Sequence, residues 1–217
     1  MIIHTRAIIL NHLRYGESSL IAHLYTELLG RQAIFVQGVY SKKSQMRAAL
    51  FQPLHIVETE IHHRDNRRMQ RISHIRLLQP FHDLLYNPVK NGVALFIAEI
   101  LGKTLKEEES NRDLFDFLLR ALQTLDLIET GVANFHMIFL IHYTRYLGFY
   151  PNPDELPENA PPLLMQLLNL PFEHLESLQI SRHQRNCLTE YLLSYYAGHV
   201  DNFGKMNSFI VLRHLFS

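Results

Sequence analysis

Short segments rich in β-branched, aliphatic and aromatic residues occupy the first part of the chain, and several of them alternate with polar residues. This pattern is typical of β-strands. Five strands are predicted, at residues 2–13, 20–28, 32–39, 50–61 and 69–78. Gly16 and Gly30 separate the first three, since glycine readily adopts the positive φ of tight turns. Five short strands within residues 1–80 are typical of a small closed barrel of the OB-fold type, a frequent nucleic-acid binder.

From residue 81 onward, apolar residues recur at intervals of three and four, which is the period of an amphipathic helix. Helices are predicted at residues 89–105, 114–125, 132–146, 162–170 and 208–216, with a further one after the capping box formed by Ser181 and Gln184. A proline-rich loop interrupts the pattern between Pro151 and Pro162. The sequence therefore predicts an α+β protein with an OB-fold nucleic-acid-binding domain at residues 1–80 and a helical domain at residues 81–217.

The formal net charge of the chain is zero, but its charges are unevenly distributed. Residues 1–80 contain eleven Lys and Arg residues against five Asp and Glu residues, whereas residues 81–217 contain ten against sixteen. This asymmetry suggests a polyanion-binding module joined to an acidic one. The alternative is that a helical half simply carries more solvated glutamate.

Two basic loops concentrate the positive charge of the first half. One follows the third strand, has the sequence GVYSKKSQMRAALFQP and contains no carboxylate, and the other, HHRDNRRMQR, connects the fourth and fifth strands. Both are interpreted as DNA contacts, since cations there can neutralise phosphates and release counterions. Ordinary solvated surface is the alternative. The predicted DNA-binding residues are Lys42, Lys43 and Arg47 in the first loop, Arg64, Arg67, Arg68 and Arg71 in the second, and Arg6, Arg14 and Arg31 near the early strands.

Aromatic side chains in the same half could stack on bases or fill the barrel. Phe35 and Phe51 are predicted to lie in the core, as strand phenylalanines usually do. Tyr15 and Tyr40 lie beside turns, and for them stacking and packing both remain open.

Catalytic motifs are absent from the sequence. It contains no GxxxxGK[ST], GxSxG or HExxH pattern. His62 and His63 are adjacent on a predicted strand, so their side chains point to opposite faces and do not form a metal site. Cys187 is the single cysteine and is expected to be a small buried hydrophobe within a helix. The sequence thus predicts a protein that is not an enzyme and that uses no cofactor or metal.

The run TRAIILNHLRYGESSLIAHLYTELLGRQAIFVQGV, the segment LFQPL and the later LGFYP together resemble the bacterial RecO proteins. The matching positions include Thr5, Gly16, Gly30 and Gly38, and the resemblance extends over the whole chain. It implies an OB-fold followed by a helical domain. It also implies a recombination mediator that anneals complementary strands and, with RecR, helps load RecA onto DNA coated by single-stranded-DNA-binding protein.

The resemblance further implies the partners and location of the protein. The expected partners are single- and double-stranded DNA, RecR and the C-terminal tail of single-stranded-DNA-binding protein, in the cytoplasm with the nucleoid. An acidic tail with apolar residues requires local cations beside a pocket, and Arg182 and Arg185 in SRHQRNCLTEYLLSYY are candidates. There is no apolar run of membrane-spanning length and no secretory signal pattern, so no membrane partner is expected.

One departure from the family pattern concerns zinc. Many RecO proteins carry zinc-binding cysteine pairs after the LGxxP segment, whereas NPDELPENAPP contains neither cysteine nor histidine. The chain therefore resembles a branch that lacks the zinc-binding cysteines.

Two other function classes remain open from the residues alone. An OB-fold binds RNA as readily as DNA, so an RNA-binding adaptor is the nearest alternative. A metal-dependent nuclease or phosphatase is the other, although no motif supports it.

Overall fold

The computed structural model describes residues 1–41, 48–106 and 108–216. Five strands form one antiparallel sheet in the order β3-β2-β1-β4-β5. Their bounds are β1 Ile2–Tyr15, β2 Ser19–Thr26, β3 Gly30–Val36, β4 Ile56–His62 and β5 Arg71–Gln79. All five predicted strands are present, which confirms the strand-forming first part of the chain.

The sheet is not closed, so the prediction of a closed barrel is wrong in this respect. Its edge strands, β3 and β5, form no ladder with each other. One isolated parallel bridge joins Ile34 to Gln70, the residue before β5. It consists of hydrogen bonds from Phe35 N–H to the Gln70 carbonyl (2.9 Å) and from Gln70 N–H to the Ala33 carbonyl (2.8 Å). Within the described residues this is the one bridge between β3 and this segment, and the chain before Gln70 is bonded to the Gln70 side chain.

The buried face of the sheet follows the period of two that the sequence indicates. Leu20, Ala22 and Leu24 of β2 lie in one apolar core with Ile34 and Val36 of β3. Phe51 is fully buried in the same core, which confirms the prediction that it is a core residue. Phe35, however, is only half-buried.

The fourth strand begins later than predicted. Residues Ala48–Phe51 form a 3-10 turn, and β4 starts only at Ile56. Pro53 has no backbone donor, and Leu54 has a φ of 66° with its N–H bonded to the Ile9 carbonyl at 2.7 Å. An extended strand cannot pass through a residue in the left-handed conformation, so the chain turns before β4.

Six α-helices follow the sheet in the part of the chain that the structure describes. Their bounds are α1 Pro88–Thr104, α2 Arg112–Leu127, α3 Val132–Leu147, α4 Pro162–Leu167, α5 Arg182–His199 and α6 Ser208–Leu215. The capping box of Ser181 and Gln184 is present at the start of α5, as predicted. The fourth helix ends earlier than the predicted residue 170, and a 3-10 turn, Phe172–Ser177, follows Pro171. Strands followed by helices confirm the α+β class.

The chain divides into two compact units. The first comprises Met1–Phe81 and Ala98–Leu122, and the second comprises His82–Ile97 and Gln123–Ser217. Helices α1 and α2 thus contribute residues to both. The predicted division into domains at residues 1–80 and 81–217 stays a prediction.

Candidate nucleic-acid interface

The connection between β4 and β5 is organised by one buried side chain, that of Gln70. Its exposed fraction is 4%. The side-chain carbonyl accepts a hydrogen bond from Arg64 N–H (2.9 Å), and the amide group donates to the backbone carbonyls of Arg64 (3.0 Å) and Arg67 (2.8 Å). The backbone of Gln70 also pairs with β3 through the bridge at Ile34. A single residue therefore fixes the loop backbone and attaches it to the opposite edge of the sheet.

The arginines of this loop, Arg64, Arg67 and Arg68, together with Arg71 at the start of β5, are exposed. Within the described ranges, none of their guanidinium groups forms an ion pair. The one carboxylate in the run, Asp65, is fully exposed and lies 3.0 Å from His63 Nε2. Four like charges within residues 64–71 repel one another, and a bound polyanion would reduce that repulsion.

An open depression of about 410 Å³ lies beside the loop. Its lining residues are His62, Arg64, Arg67, Met69, Gln70, Arg71, Ile72 and Ser73. Three of them carry a guanidinium group, and Met69 supplies an apolar surface that is 47% exposed. The depression thus combines cations with an apolar wall.

A second exposed group lies at the turn between β1 and β2. The Arg14 guanidinium lies 5.1 Å from the centre of the Tyr40 ring and donates to the Glu17 carbonyl at 2.9 Å. Tyr15 is 59% exposed and packs edge-on against Phe35, with ring centres 5.8 Å apart. Arg14 and the two tyrosines are therefore accessible to a ligand.

Arg6, in contrast, is engaged by carboxylates of its own unit. Its Nε and Nη2 atoms each lie 2.8 Å from a carboxylate oxygen of Glu27, and Nη2 lies 3.5 Å from Asp116 Oδ1. The hydrogen bond from Arg6 lowers the pKa of Glu27 and outweighs burial, which acts to raise it. Arg6 stabilises this unit internally, and its role as a DNA contact stays a prediction.

Arg31 on β3 is also engaged. Its Nη1 atom donates to the Leu105 carbonyl and lies 3.5 Å from the Gly102 carbonyl, at the end of α1. Burial lowers the pKa of the Arg31 guanidinium. A cation bonded to the last carbonyls of a helix stabilises that helix end. Its predicted DNA contact is likewise untested.

The remaining predicted DNA contacts, Lys42, Lys43 and Arg47, lie outside the described residues. The turn before them begins at Gly38, whose φ is 71°. Their interpretation as phosphate contacts stays a prediction.

The two arginines predicted to bind a partner differ in environment. Arg182 is exposed at the first turn of α5. Arg185 is half-buried, and it donates to Asn134 Oδ1 (3.2 Å) and to the Ile180 carbonyl (3.0 Å). Burial lowers the pKa of Arg185. Of the two, Arg182 has the more accessible charge.

Cys187 is exposed, so the expectation of a buried small hydrophobe is wrong. The buried face of α5 carries Leu188, Leu192 and Tyr196, and the residue before Leu188 falls outside that stripe. The thiol lies 3.6 Å from His183 Nε2.

In the part of the chain that the structure describes, no three His, Cys, Asp or Glu residues are grouped so that they could hold a metal ion. No helix among the described residues has the length and apolar character required to cross a bilayer.

Gln70 is the residue of this candidate interface that the sequence patterns do not predict. All of its partners are backbone atoms, so no residue type elsewhere in the sequence signals the interaction. The sequence signal that exists is an uncharged amide inside an arginine-rich loop.

An open antiparallel sheet, with exposed arginines at one connection that form no ion pair among the described residues, is followed by helices and defines an α+β protein with a basic, OB-fold-like first part. Comparison with known proteins specifies the family. Residues 1–81 match the protein family described as Recombination protein O N terminal, and residues 85–155 match the family described as Recombination protein O C terminal. The chain belongs to the RecO family of DNA repair proteins.

Three relatives, each named DNA repair protein RecO, illustrate the similarity. Those of Flavobacterium psychrophilum, Bacteroides fragilis and Christiangramia forsetii are 34%, 33% and 33% identical, and the alignments cover 100% of both chains in each case. The names denote DNA repair and indicate no catalytic activity.

Proposed function

We propose that this protein is a non-catalytic recombination mediator in DNA repair. It binds single- and double-stranded DNA and anneals complementary strands, and with RecR it helps load RecA onto DNA coated by single-stranded-DNA-binding protein. The observation that carries the proposal is the arginine loop: exposed guanidinium groups without carboxylate partners in the described residues, on a backbone fixed by the buried Gln70 amide.

The physical basis of annealing is charge neutralisation. Two complementary strands repel one another through their phosphates, and arginines that contact both strands reduce this repulsion and release counterions. Base stacking then supplies about 1.4 kcal/mol per step of duplex formed. Pairing is therefore favourable without nucleotide hydrolysis, which is consistent with a sequence that has no phosphate-binding loop motif.

The proposed protein partners are RecR and the acidic C-terminal tail of single-stranded-DNA-binding protein, and the proposed location is the cytoplasm with the nucleoid. Family membership supports both partners. For the tail, exposed Arg182 offers the charge, while the engaged Arg185 contributes mainly to packing. Because residues 81–217 carry more acidic than basic residues, such a site would attract the tail through nearby cations and not through a long-range positive potential.

An annealing assay tests the function. Two complementary oligonucleotides with fluorescent ends are mixed with the protein, with a divalent metal or with a chelator, and the products are checked for cleavage. We expect faster annealing without a metal requirement and without cleavage. Cleavage products would indicate a nuclease, and binding of RNA strands alone would indicate an RNA adaptor; either result overturns the mediator.

Two matched variants distinguish the effect of the loop arginines on annealing from the effect of net charge. Substitution of Arg64, Arg67 and Arg68 by Gln should slow annealing. Substitution of Arg76 on β5, the exposed Arg120 on α2 and Arg213 on α6 by Gln removes the same charge elsewhere and should leave the rate nearly unchanged. Arg76 and Arg213 are paired with exposed carboxylates of Glu58 and Glu190. Equal effects of the two triple variants would remove the arginine loop from the proposal.

A further inference from the structure

The depression beside the arginine loop has the dimensions and the chemistry of a small-ligand site. Its volume of about 410 Å³ lies within the range of roughly 300–1,000 Å³ that such sites occupy. Three arginines line the depression: Arg64 and Arg67, which precede Gln70 in the sequence, and Arg71, which follows it. Ile72 and Met69 contribute apolar surface.

The apolar wall distinguishes this depression from a purely electrostatic surface. Phosphate contacts alone need only cations, and they bind all nucleic acids about equally. A polarizable thioether beside arginines, however, also attracts a flat π-system, because sulfur and guanidinium groups both contact ring faces or edges favourably. A nucleotide carries both a flat base and a phosphate, and the depression is lined by both the thioether and the arginines.

The loop backbone is ordered before any ligand arrives. The Gln70 amide holds the carbonyls of Arg64 and Arg67, and its carbonyl holds the Arg64 N–H. Gln70 itself is anchored to β3. The backbone entropy that a flexible loop would lose on binding is thus already lost on folding, which favours affinity.

We propose that this depression is a nucleotide subsite for single-stranded nucleic acid, in which Arg64, Arg67 and Arg71 contact a phosphate and Met69 packs against an unstacked base, with Gln70 as the positioning residue. The inference rests on the proposed function and deepens it, because it assigns a strand preference to one site. Bases in a duplex are stacked and paired, so they do not reach Met69, and a duplex gains only the phosphate contacts.

Three ligands of equal length test the subsite by fluorescence anisotropy: an oligothymidine, an abasic oligonucleotide with the same phosphates, and a duplex. The full-length protein is compared with Met69→Ala and Met69→Leu. We expect Met69→Ala to weaken oligothymidine binding about 2- to 10-fold, the range of a sulfur–ring contact. Binding of the abasic strand and of the duplex should not change. Met69→Leu, which retains apolar volume, should recover most of the loss.

Gln70→Ala provides the second variant. Loss of the Gln70 side-chain hydrogen bonds should weaken binding of all three ligands, because every arginine contact depends on the position of the loop backbone. Melting temperatures of the variants are measured in parallel. Since Met69 is 47% exposed, its substitution should not affect folding.

The outcomes separate this inference from the proposed function. If Met69→Ala changes the affinity for all three ligands equally, or for none, the base contact is wrong while DNA binding stands. If the unsubstituted protein binds none of the ligands, or binds them without salt dependence, the proposed function itself fails.

Discussion

Arg6 and Glu27 form a bidentate ion pair at the end of the β1–β2 ladder, with both N–O distances at 2.8 Å. The Glu27 side chain is only 11% exposed, and Arg112 approaches it from α2 at 3.5 Å. A carboxylate shielded in this way depends on its cations, since burial without a partner is costly. The pair therefore fixes the segment after β2 against β1.

Substitution of Arg6 by Met should lower the free energy of unfolding by about 1.5–3 kcal/mol, the value of a hydrogen bond to a charged group. Because Arg6 lowers the pKa of Glu27, its stabilisation is present above the ordinary glutamate pKa and is lost as the pH falls through the lowered value. Urea denaturation at several pH values should show the difference between the two proteins shrinking below about pH 4.3.

The exposed pair of Arg213 and Glu190 provides the control for that experiment, since its side chains are 48% and 54% exposed. Arg213→Met should cost no more than about 1 kcal/mol. A larger loss for Arg213→Met than for Arg6→Met would contradict the ranking.

Two turn glycines of similar φ offer a matched test of packing. Gly30 has a φ of 61°, and a Cβ there would lie 2.3 Å from the Glu109 carbonyl oxygen, whereas Gly16 has a φ of 64° and no atom within 4 Å of that position. Gly16→Ala should cost about 1–2 kcal/mol through backbone strain alone. Gly30→Ala should cost clearly more. Thermal unfolding of both variants measures the difference, and equal losses would show that the Glu109 backbone yields easily.

The buried carboxylate of Asp126 holds the start of the second unit. It accepts hydrogen bonds from the backbone N–H groups of His82 (2.9 Å), Asp83 (2.9 Å) and Leu84 (2.8 Å). Burial acts to raise the pKa of Asp126, but these bonds outweigh it and the pKa is lowered. Lys90 Nζ donates to the Asp126 carbonyl at 2.6 Å.

Asp126→Asn should therefore destabilise the protein by about 2–4 kcal/mol, since one acceptor becomes a donor that faces a backbone N–H. Chemical denaturation followed by circular dichroism measures the loss. Asp154→Asn changes an exposed aspartate and serves as the control, with an expected effect within about 0.5 kcal/mol. Similar values for both variants would show that the backbone bonds of Asp126 contribute little.

The salt dependence of single-strand binding should report on the arginine loop. Each phosphate contact to a single strand contributes about 0.7 to the slope of log affinity against log salt. Substitution of Arg64, Arg67 and Arg68 by Gln should reduce the magnitude of the slope by about 2, whereas substitution of Arg76, Arg120 and Arg213 should not alter it. An unchanged slope in the first variant would mean that these arginines contact no phosphate.

Zinc should not contribute to stability. The segment NPDELPENAPP contains no thiol or imidazole ligand, and no metal-binding group occurs among the described residues. A chelator should leave the melting temperature unchanged, because only a ligand bound to the native state stabilises it. Elemental analysis of untagged protein that finds one zinc per chain would require a site built partly from other residues.

Periodicity predicts the elements of this fold better than their ends. The five strands and the capping box at Ser181 follow from local patterns that depend on neighbouring residues alone. The start of β4 depends on the bond from Leu54 to Ile9, which no local pattern contains. The bridge between Ile34 and Gln70 likewise joins residues that are distant in sequence.

The candidate site shows the same limit. Basic composition predicts Arg64, Arg67 and Arg68 as exposed cations, and they are exposed. It does not predict that Arg6 is engaged by Glu27, or that Arg31 bonds to the end of α1, because those partners are distant in sequence. Spacing alone cannot distinguish a free cation from a paired one.

The bridge between Ile34 and Gln70 connects the edge of the sheet to the arginine loop, so hydrogen exchange at this edge can report on ligand binding to the loop. The amides of Phe35 and Gln70 donate across this bridge, so they exchange with solvent only when the bridge opens and frees the backbone of the residue whose side chain holds the loop. If the proposed arginine site binds a nucleic-acid strand more tightly when the bridge is closed, that strand slows hydrogen exchange at those two amides through mass action. Opening of the bridge at the β3 edge and ligand binding to the arginine loop would then be coupled equilibria.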